Sequence, residues 1–320
     1  MAEDEPLWEE ELKKNLVEIN DVFVKEQKGD KTSVPPEQLY HYTNIAGLQG
    51  IIQSSRLWAT NTPFLNDAGE HRYACSLLRD LLKERRSQTN NEDLLTFYNE
   101  IEASLNAINL GVYTHFIACL CTERDLLSQW RAYGAGGGYA IGFDPLKFNG
   151  HTYAQNPQRQ YELHRVIYEP TQQKSFLRKF LKRYEDFIEI GIDSKVNDPE
   201  RYIDLCSIYF VSDVDDWLIS FKNSAFAEEN EWRLIVRRRK GENRLFESVR
   251  FRAGKGTLVP YCELDVTNST VAAPAPTLPI TEIMIGPSPA PDLANEGIQM
   301  FMQAMGYNDI PVIHSSIPLR

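Results

Sequence analysis

For roughly fifty residues in its second half the chain leaves the two-residue alternation of strands for the 3.6-residue period of helices. KSFLRKFLKRYEDFIEIGI (174–192) and RYIDLCSIYFVSDVDDWLISFK (201–222) each carry an apolar stripe between acidic and basic faces. Strand-type runs flank the block. THFIACLCTE, GGGYAIGFD and YELHRVIYE precede it, and EWRLIVRRR, LFESVRFRA, TLVPYCELDV, EIMIGP and PVIHSS follow it. This order predicts a mixed α+β domain with a helical insertion at about 170–222.

Upstream, LWEEELKKNLVEINDVFVKEQ (7–27) has the spacing of an amphipathic helix, and KGDKTSVPP reads as a polar linker. Residues 1–34 are therefore expected to be an amino-terminal helix and linker, and 35–320 a single domain. The helix suits docking on that domain and assembly with a partner equally. LYHYT (39–43) reads as a strand, TNIAGLQGIIQSS as a helix capped by Thr43 or Asn44, and LWATN as a second strand broken at Pro63. Helices are expected from about 70 to 84, around 93–108 and at 290–305.

The 320 residues are 42% hydrophobic with a formal net charge of −11, enough for a large core and repulsive to a polyanion. The exception is Arg233 to Lys255, with nine basic residues against two acidic ones. Either a charge-protected hairpin edge or a docking strip for a phosphate-rich partner accounts for it. The five cysteines are scattered without a CxxC pair, which suits a reduced cytoplasm. The start MAEDEPLWEEEL is acidic and no run of about eighteen apolar residues occurs, so neither export nor a membrane span is expected. GxSxG and HExxH motifs are absent from the sequence, and no metal is expected.

Chemistry concentrates in four places. His41 alternates with Tyr40 and Tyr42, so its side chain faces away from both. TNTPFLNDAGEHR gathers Asn61, Asn66, Asp67, Glu70 and His71, although turn and cap roles explain Asn66 and Asp67, and Glu70 suits the first turn of a helix. SQWRAYG sets Arg131 between Trp130 and Tyr133, where a guanidinium stacks or clamps a phosphate; the following GAGGG lacks the spacing of a phosphate loop. FAEENEWRLIV places Glu228, Glu229 and Glu231 at a strand start, with Glu229 and Glu231 pointing the same way. There Arg233 neutralises the acids, or one carboxylate is held ready to grip a hydroxyl or stabilise a developing cation.

LYHYTNIAGLQGII, LWATNTPFLNDAGEHR, FIACLCTERDLLSQWRAYGAGGGYAIGFD, FAEENEWRLI, VPYCEL and EIMIGP, in this order, closely resemble the bacterial family called domain of unknown function 2971, over roughly residues 38–320. LYHYTNIAGLQGII followed by LWATN also resembles the start of ADP-ribosyltransferase-like folds, including the DarT type and the RNA 2′-phosphotransferase type. That second resemblance implies a mainly antiparallel split sheet with a helical insertion. It implies that His41 contacts the ribose of NAD, that Trp58 or Phe64 packs on the nicotinamide and that Glu231 binds the nicotinamide ribose hydroxyl. Trp58 stands where the His-Tyr-Glu class has tyrosine.

The function so implied is an NAD-dependent, ADP-ribosyltransferase-like enzyme that modifies a nucleic acid or a protein, with a toxin or phage-defence role by resemblance. NAD, as substrate, would be seated by His41, Tyr42, Thr43, Trp58, Asn66, Arg131 and Tyr133. Glu231 and His41 would be catalytic, and Glu229, Arg233 and Arg237 would meet the acceptor. Two rivals are a metal-dependent nuclease or phosphodiesterase, with Asp67, Glu70 and Glu231 around an ion near His41, and a non-catalytic module recognising a nucleotide or a partner peptide. Oligomeric state is not legible in the sequence.

Overall fold

Among the described residues, short runs rich in β-branched and aromatic residues become ten strands, named in chain order: β1 (Leu39–Asn44), β2 (Leu57–Asn61), β3 (Tyr113–Cys121), β4 (Gly138–Phe143), β5 (Glu162–Arg165), β6 (Glu231–Arg239), β7 (Val249–Gly254), β8 (Thr257–Leu264), β9 (Ile280–Ile285) and β10 (Val312–His314). The helices are α1 (Leu7–Lys28), α2 (Ile45–Ser54), α3 (Gly69–Gln88), α4 (Glu92–Asn106), α5 (Leu127–Tyr133), α6 (Pro170–Asp193), α7 (Pro199–Leu218) and α8 (Pro291–Ala304). The structure, a computed structural model, describes residues 7–28, 35–65, 69–106, 113–134, 137–148, 161–193, 198–239, 249–254, 256–267 and 278–318.

The chain divides into two compact units. A helical unit comprises residues 1–33, 67–114 and 167–225, and a sheet unit comprises 34–66, 115–166 and 226–320. This differs from the predicted organisation, in which 1–34 stood apart and 35–320 formed one domain interrupted at about 170–222. The insertion is built up by α1, α3 and α4, whose apolar stripes find their partners on α6 and α7. Leu12, Leu16 and Phe23 of α1 enter the same core as Leu78, Phe97, Phe180, Tyr184 and Phe210. Phe23 meets Phe176 and Phe180 edge-on at 4.9 Å each, and Arg201 binds Glu9 at 3.0 Å. The amino-terminal helix therefore docks within this unit. Each fully buried ring contributes about 2 kcal/mol.

Where the insertion begins and ends, Gln173 is fully buried and its Nε2 donates to Ile167 O (2.6 Å) and Lys222 O (2.9 Å), tying the two ends together. YELHRVIYE is accordingly a strand only over β5. Ile167 then makes an isolated bridge with Phe221.

In the sheet unit the strand order is β10-β9-β4-β1-β3-β2-β8-β7, with β6 paired to β3 and β5 to β6. β9 and β10 run parallel, and the other registered pairs are antiparallel. The sheet is thus open, and it is mixed and mainly antiparallel as expected. One set of side chains, including Leu39, Phe116, Ile141, Leu234 and Ile283, packs with Leu48, Ile51 and Ile52 of α2 and Ile298 and Met302 of α8. Another set, Tyr40, Tyr42, Cys121, Ala140 and Met284, packs with Trp130 of α5.

In the helical unit His71 Nε2 lies 3.0 Å from Asp215 Oδ1. Burial opposes a charged imidazole, but the hydrogen bonds to Asp215 and then Cys75 outweigh it and raise the pKa from 6.5 to about 10. A folded-state value above the unfolded one means that this pair contributes fully below about pH 6.5 and is lost as pH rises through about 10. His71→Gln should therefore lower the denaturation midpoint near pH 6.5 and converge with the wild type near pH 10. Parallel midpoint curves across that range would contradict the pairing.

Candidate functional site

β1 pairs with β4 along its whole length, Leu39↔Phe143 to Asn44↔Gly138, but with β3 only at Tyr40↔Cys121. Beyond that point no further β1–β3 pair is registered, and His41 is the next residue along β1. Alternation sends Tyr40 and Tyr42 into the cluster around Trp130. Tyr42 donates its hydroxyl proton to Glu123 O (2.6 Å), accepts Leu126 N–H (3.0 Å) and meets the Trp130 ring edge-on at 4.7 Å. It is spent on structure. His41 is half-buried, and its Nδ1–H donates to Cys119 O at 2.9 Å. That bond leaves the lone pair on Nε2. Burial, opposed by the Cys119 carbonyl and reinforced by the positive charge of Arg252, lowers the His41 pKa to about 4. At neutral pH this imidazole is uncharged and offers an acceptor.

The registers of β2, β8 and β7 bring Trp58, Thr60, Tyr261, Glu263, Arg250 and Arg252 onto one face. Thr60 is opposite Tyr261 and Trp58 opposite Glu263, while Arg250 is opposite Tyr261 and Arg252 opposite Val259. Trp58 and Tyr261 pack with ring centroids 4.7 Å apart. Arg252 Nη2 donates to Thr60 Oγ1 at 2.8 Å, and its guanidinium lies 5.8 Å from the Trp58 ring and 5.9 Å from the Tyr261 ring. Trp58 rests against Gly50 of α2, where a side chain would collide with the indole. Its buried Nε1–H has no hydrogen-bond partner among the described residues. Arg252 has no carboxylate partner among the described residues, and burial pushes its pKa below the ordinary value. Removing such a charge from water costs several kcal/mol. Stacking on two rings returns about 1–2 kcal/mol.

Glu231 and Arg233 sit two apart on β6, so both project to the same side. They are 4% and 2% exposed, and Arg233 grips the carboxylate in bidentate fashion, Nε to Oε1 at 2.7 Å and Nη2 to Oε2 at 3.0 Å. β6 pairs with β3. Burial first, then carboxylates including Glu229 and Glu231, push the Cys121 thiol up to about 12. Glu231 therefore lies within electrostatic reach of the end of β3 whose Cys119 carbonyl holds His41. Arg237 is half-buried on the same side of β6, and Glu229 is half-buried just before the strand.

The other predicted residues divide. Thr43 is buried against Gly47, which leaves no room for a larger residue there. Tyr133 packs on the Tyr40, Tyr42 and Trp130 cluster. Arg131 is exposed on α5. Phe64, the alternative to Trp58, is 40% exposed. Asn66 and Asp67 lie outside the described residues. The glycine-rich run serves packing: Gly134 and Gly138 approach each other with no space for a side chain, and Gly286 abuts the Trp130 ring. Among the described residues no three His, Cys, Asp or Glu side chains gather as metal ligands. Glu70, in the helical unit, binds Lys222 at 2.8 Å.

Sequence reasoning passed over Arg252, Tyr261 and Thr60. The signal was present, because VRFRAGKGTLVPYCEL folds as a hairpin and its alternation puts Arg250, Arg252 and Tyr261 on one face. The basic strip also breaks up, with Arg233 held by Glu231 and Arg252 turned onto the aromatic pair.

Glu231→Gln should destabilise the fold by about 3 kcal/mol by stranding the buried Arg233 charge. Replacing both, Glu231→Gln with Arg233→Met, should recover most of that loss in a denaturant titration. If the single and double variants lose equally, the ion pair does not carry the effect.

No curated protein and no solved structure matches the chain. Residues 129–234, about a third of the chain, match the family model described as Protein of unknown function (DUF2971). The segment from Gln129 of α5 to Leu234 of β6 thus matches the family that the motifs of the whole chain resemble.

Proposed function

We propose that the sheet unit binds NAD and transfers its ADP-ribose to an acceptor, a nucleic acid or a protein. The observation that carries this reading is the neutral, backbone-anchored imidazole of His41 on β1, within reach of the charge of Arg252 on β7, which stacks on Trp58 of β2 and has no carboxylate partner among the described residues. A lone pair on Nε2 accepts from a sugar hydroxyl, the rings accept a flat heterocycle and the cation accepts a phosphate. NAD carries all three. Cleaving its glycosidic bond sends the bonding pair out with nicotinamide and leaves positive charge on the ribose, which a carboxylate stabilises. Glu231 is the carboxylate we assign, and its charge reaches the same end of β3.

One observation favours a binding module that does not turn over: Glu231 is fully engaged by Arg233. Catalysis on the first reading requires Arg233 to hold the carboxylate in place without consuming its charge. The five free cysteines accord with a reduced compartment, and we place the protein in the cytoplasm. No helix among the described residues is long and apolar enough to cross a membrane. A toxin or antiviral defence role is the setting in which such a transferase would act.

The full chain should release nicotinamide from NAD in the presence of cell extract, and His41→Ala should slow release about 100-fold, the effect of one well-placed group. Release that persists unchanged in His41→Ala, or a wild type that neither binds NAD nor releases nicotinamide, would overturn the proposal.

A further inference from the structure

We infer that Arg252, with Thr60 and the Trp58–Tyr261 ring pair, is a phosphate subsite for a nucleoside diphosphate; this rests on the reading of the sheet unit as a nucleotide site. The guanidinium is half-buried, yet its hydrogen bond is to a neutral hydroxyl and it lies over two aromatic rings. Among the described residues no carboxylate neutralises it. Glu263, two residues from Tyr261 on β8, is exposed and makes no ion pair with Arg252. By contrast Arg233, on the same sheet, is matched by a carboxylate at 2.7 Å. A protein that merely needed a stacked side chain at position 252 would be served by an uncharged one, whereas an anion restores the missing half of the pair.

The surroundings specify which anion. The Trp58 Nε1–H is a buried donor without a partner among the described residues. Arg250 is exposed two positions along β7, so alternation puts a second cation on the same face. Donors and cations of this kind suit a group with several acceptor oxygens and more than one negative charge. His41 is close enough to feel the charge of Arg252 and is held neutral, so it adds no third cation and leaves an acceptor for a hydroxyl. Phosphate oxygens, a sugar hydroxyl and a flat base in one molecule define a nucleotide. The two basic positions favour a diphosphate over a monophosphate.

The test uses the full chain, adenosine diphosphate, adenosine and inorganic pyrophosphate, with affinities measured by calorimetry. Adenosine diphosphate should bind, Arg252→Gln should weaken it about 30-fold, consistent with loss of charge-assisted hydrogen bonds, and adenosine should bind both forms equally. Pyrophosphate binding that also falls in Arg252→Gln assigns the loss to the phosphates. The unliganded Arg252→Gln protein should melt no lower than the wild type, since an uncompensated charge has been removed. Equal affinity of both forms for adenosine diphosphate, no binding by the wild type, or a variant that melts well below the wild type would each overturn the subsite. If adenosine diphosphate binds through Arg252 while NAD yields no nicotinamide, the subsite stands and the transferase reading falls. If nicotinamide is released and Arg252→Gln leaves adenosine diphosphate affinity intact, the subsite falls and the transferase reading stands.

Discussion

The hydrogen bond from His41 Nδ1 to the Cys119 carbonyl stands where β1 leaves β3, and the chemistry of the sheet unit depends on it. β1 gives its ladder to β4 and meets β3 at one registered residue pair, and at Cys119 a side chain supplies a donor to the β3 backbone. Because a carbonyl only accepts, the imidazole must carry its proton on Nδ1, and burial then makes a second proton unfavourable. One bond thereby fixes the tautomer, the charge and the orientation of the ring.

Neutrality at His41 is what allows Arg252 nearby. Two like charges on this face, partly removed from water, would repel strongly, and the lowered imidazole pKa shows which group yields. The contrast between Arg233 and Arg252 sharpens the functional assignment. Arg233 with Glu231 forms a bidentate buried pair of the kind that holds a strand in place. Arg252 is left with neutral partners, and such an imbalance is characteristic of a site that completes itself by binding. The proposed catalytic carboxylate is therefore the best-held charge in the site, and the proposed phosphate ligand the least compensated.

Much of this was legible in the sequence because it is local. The 3.6-residue stripe of α6 and α7 and the alternation in LYHYT read directly, as did a cap on α2 from Thr43 or Asn44, of which Asn44 supplies it by accepting from Gly47 N at 2.9 Å. What escaped depends on partners distant in the chain. Nothing near Phe23 announces that it will meet Phe176, so α1 could not be assigned to the helical unit from its own period. The glycines at 134 and 138 read as a loop signal, and their meaning rests on Trp130 and on Gly286 far downstream. Arg252 was counted within a basic run because charge was summed along the chain, where the hairpin register sorts it by face. Arg131, which the sequence favours for a phosphate, is exposed on α5, and the desolvated cation is the one on β7.

The most direct measurement is the ¹⁵N resonance of the His41 ring followed through a pH titration of the full chain. The account predicts an imidazole that carries its proton on Nδ1 at neutral pH and takes up a second only near pH 4. A ring protonated on Nε2, or one that titrates near 6.5 as a free histidine does, would contradict it.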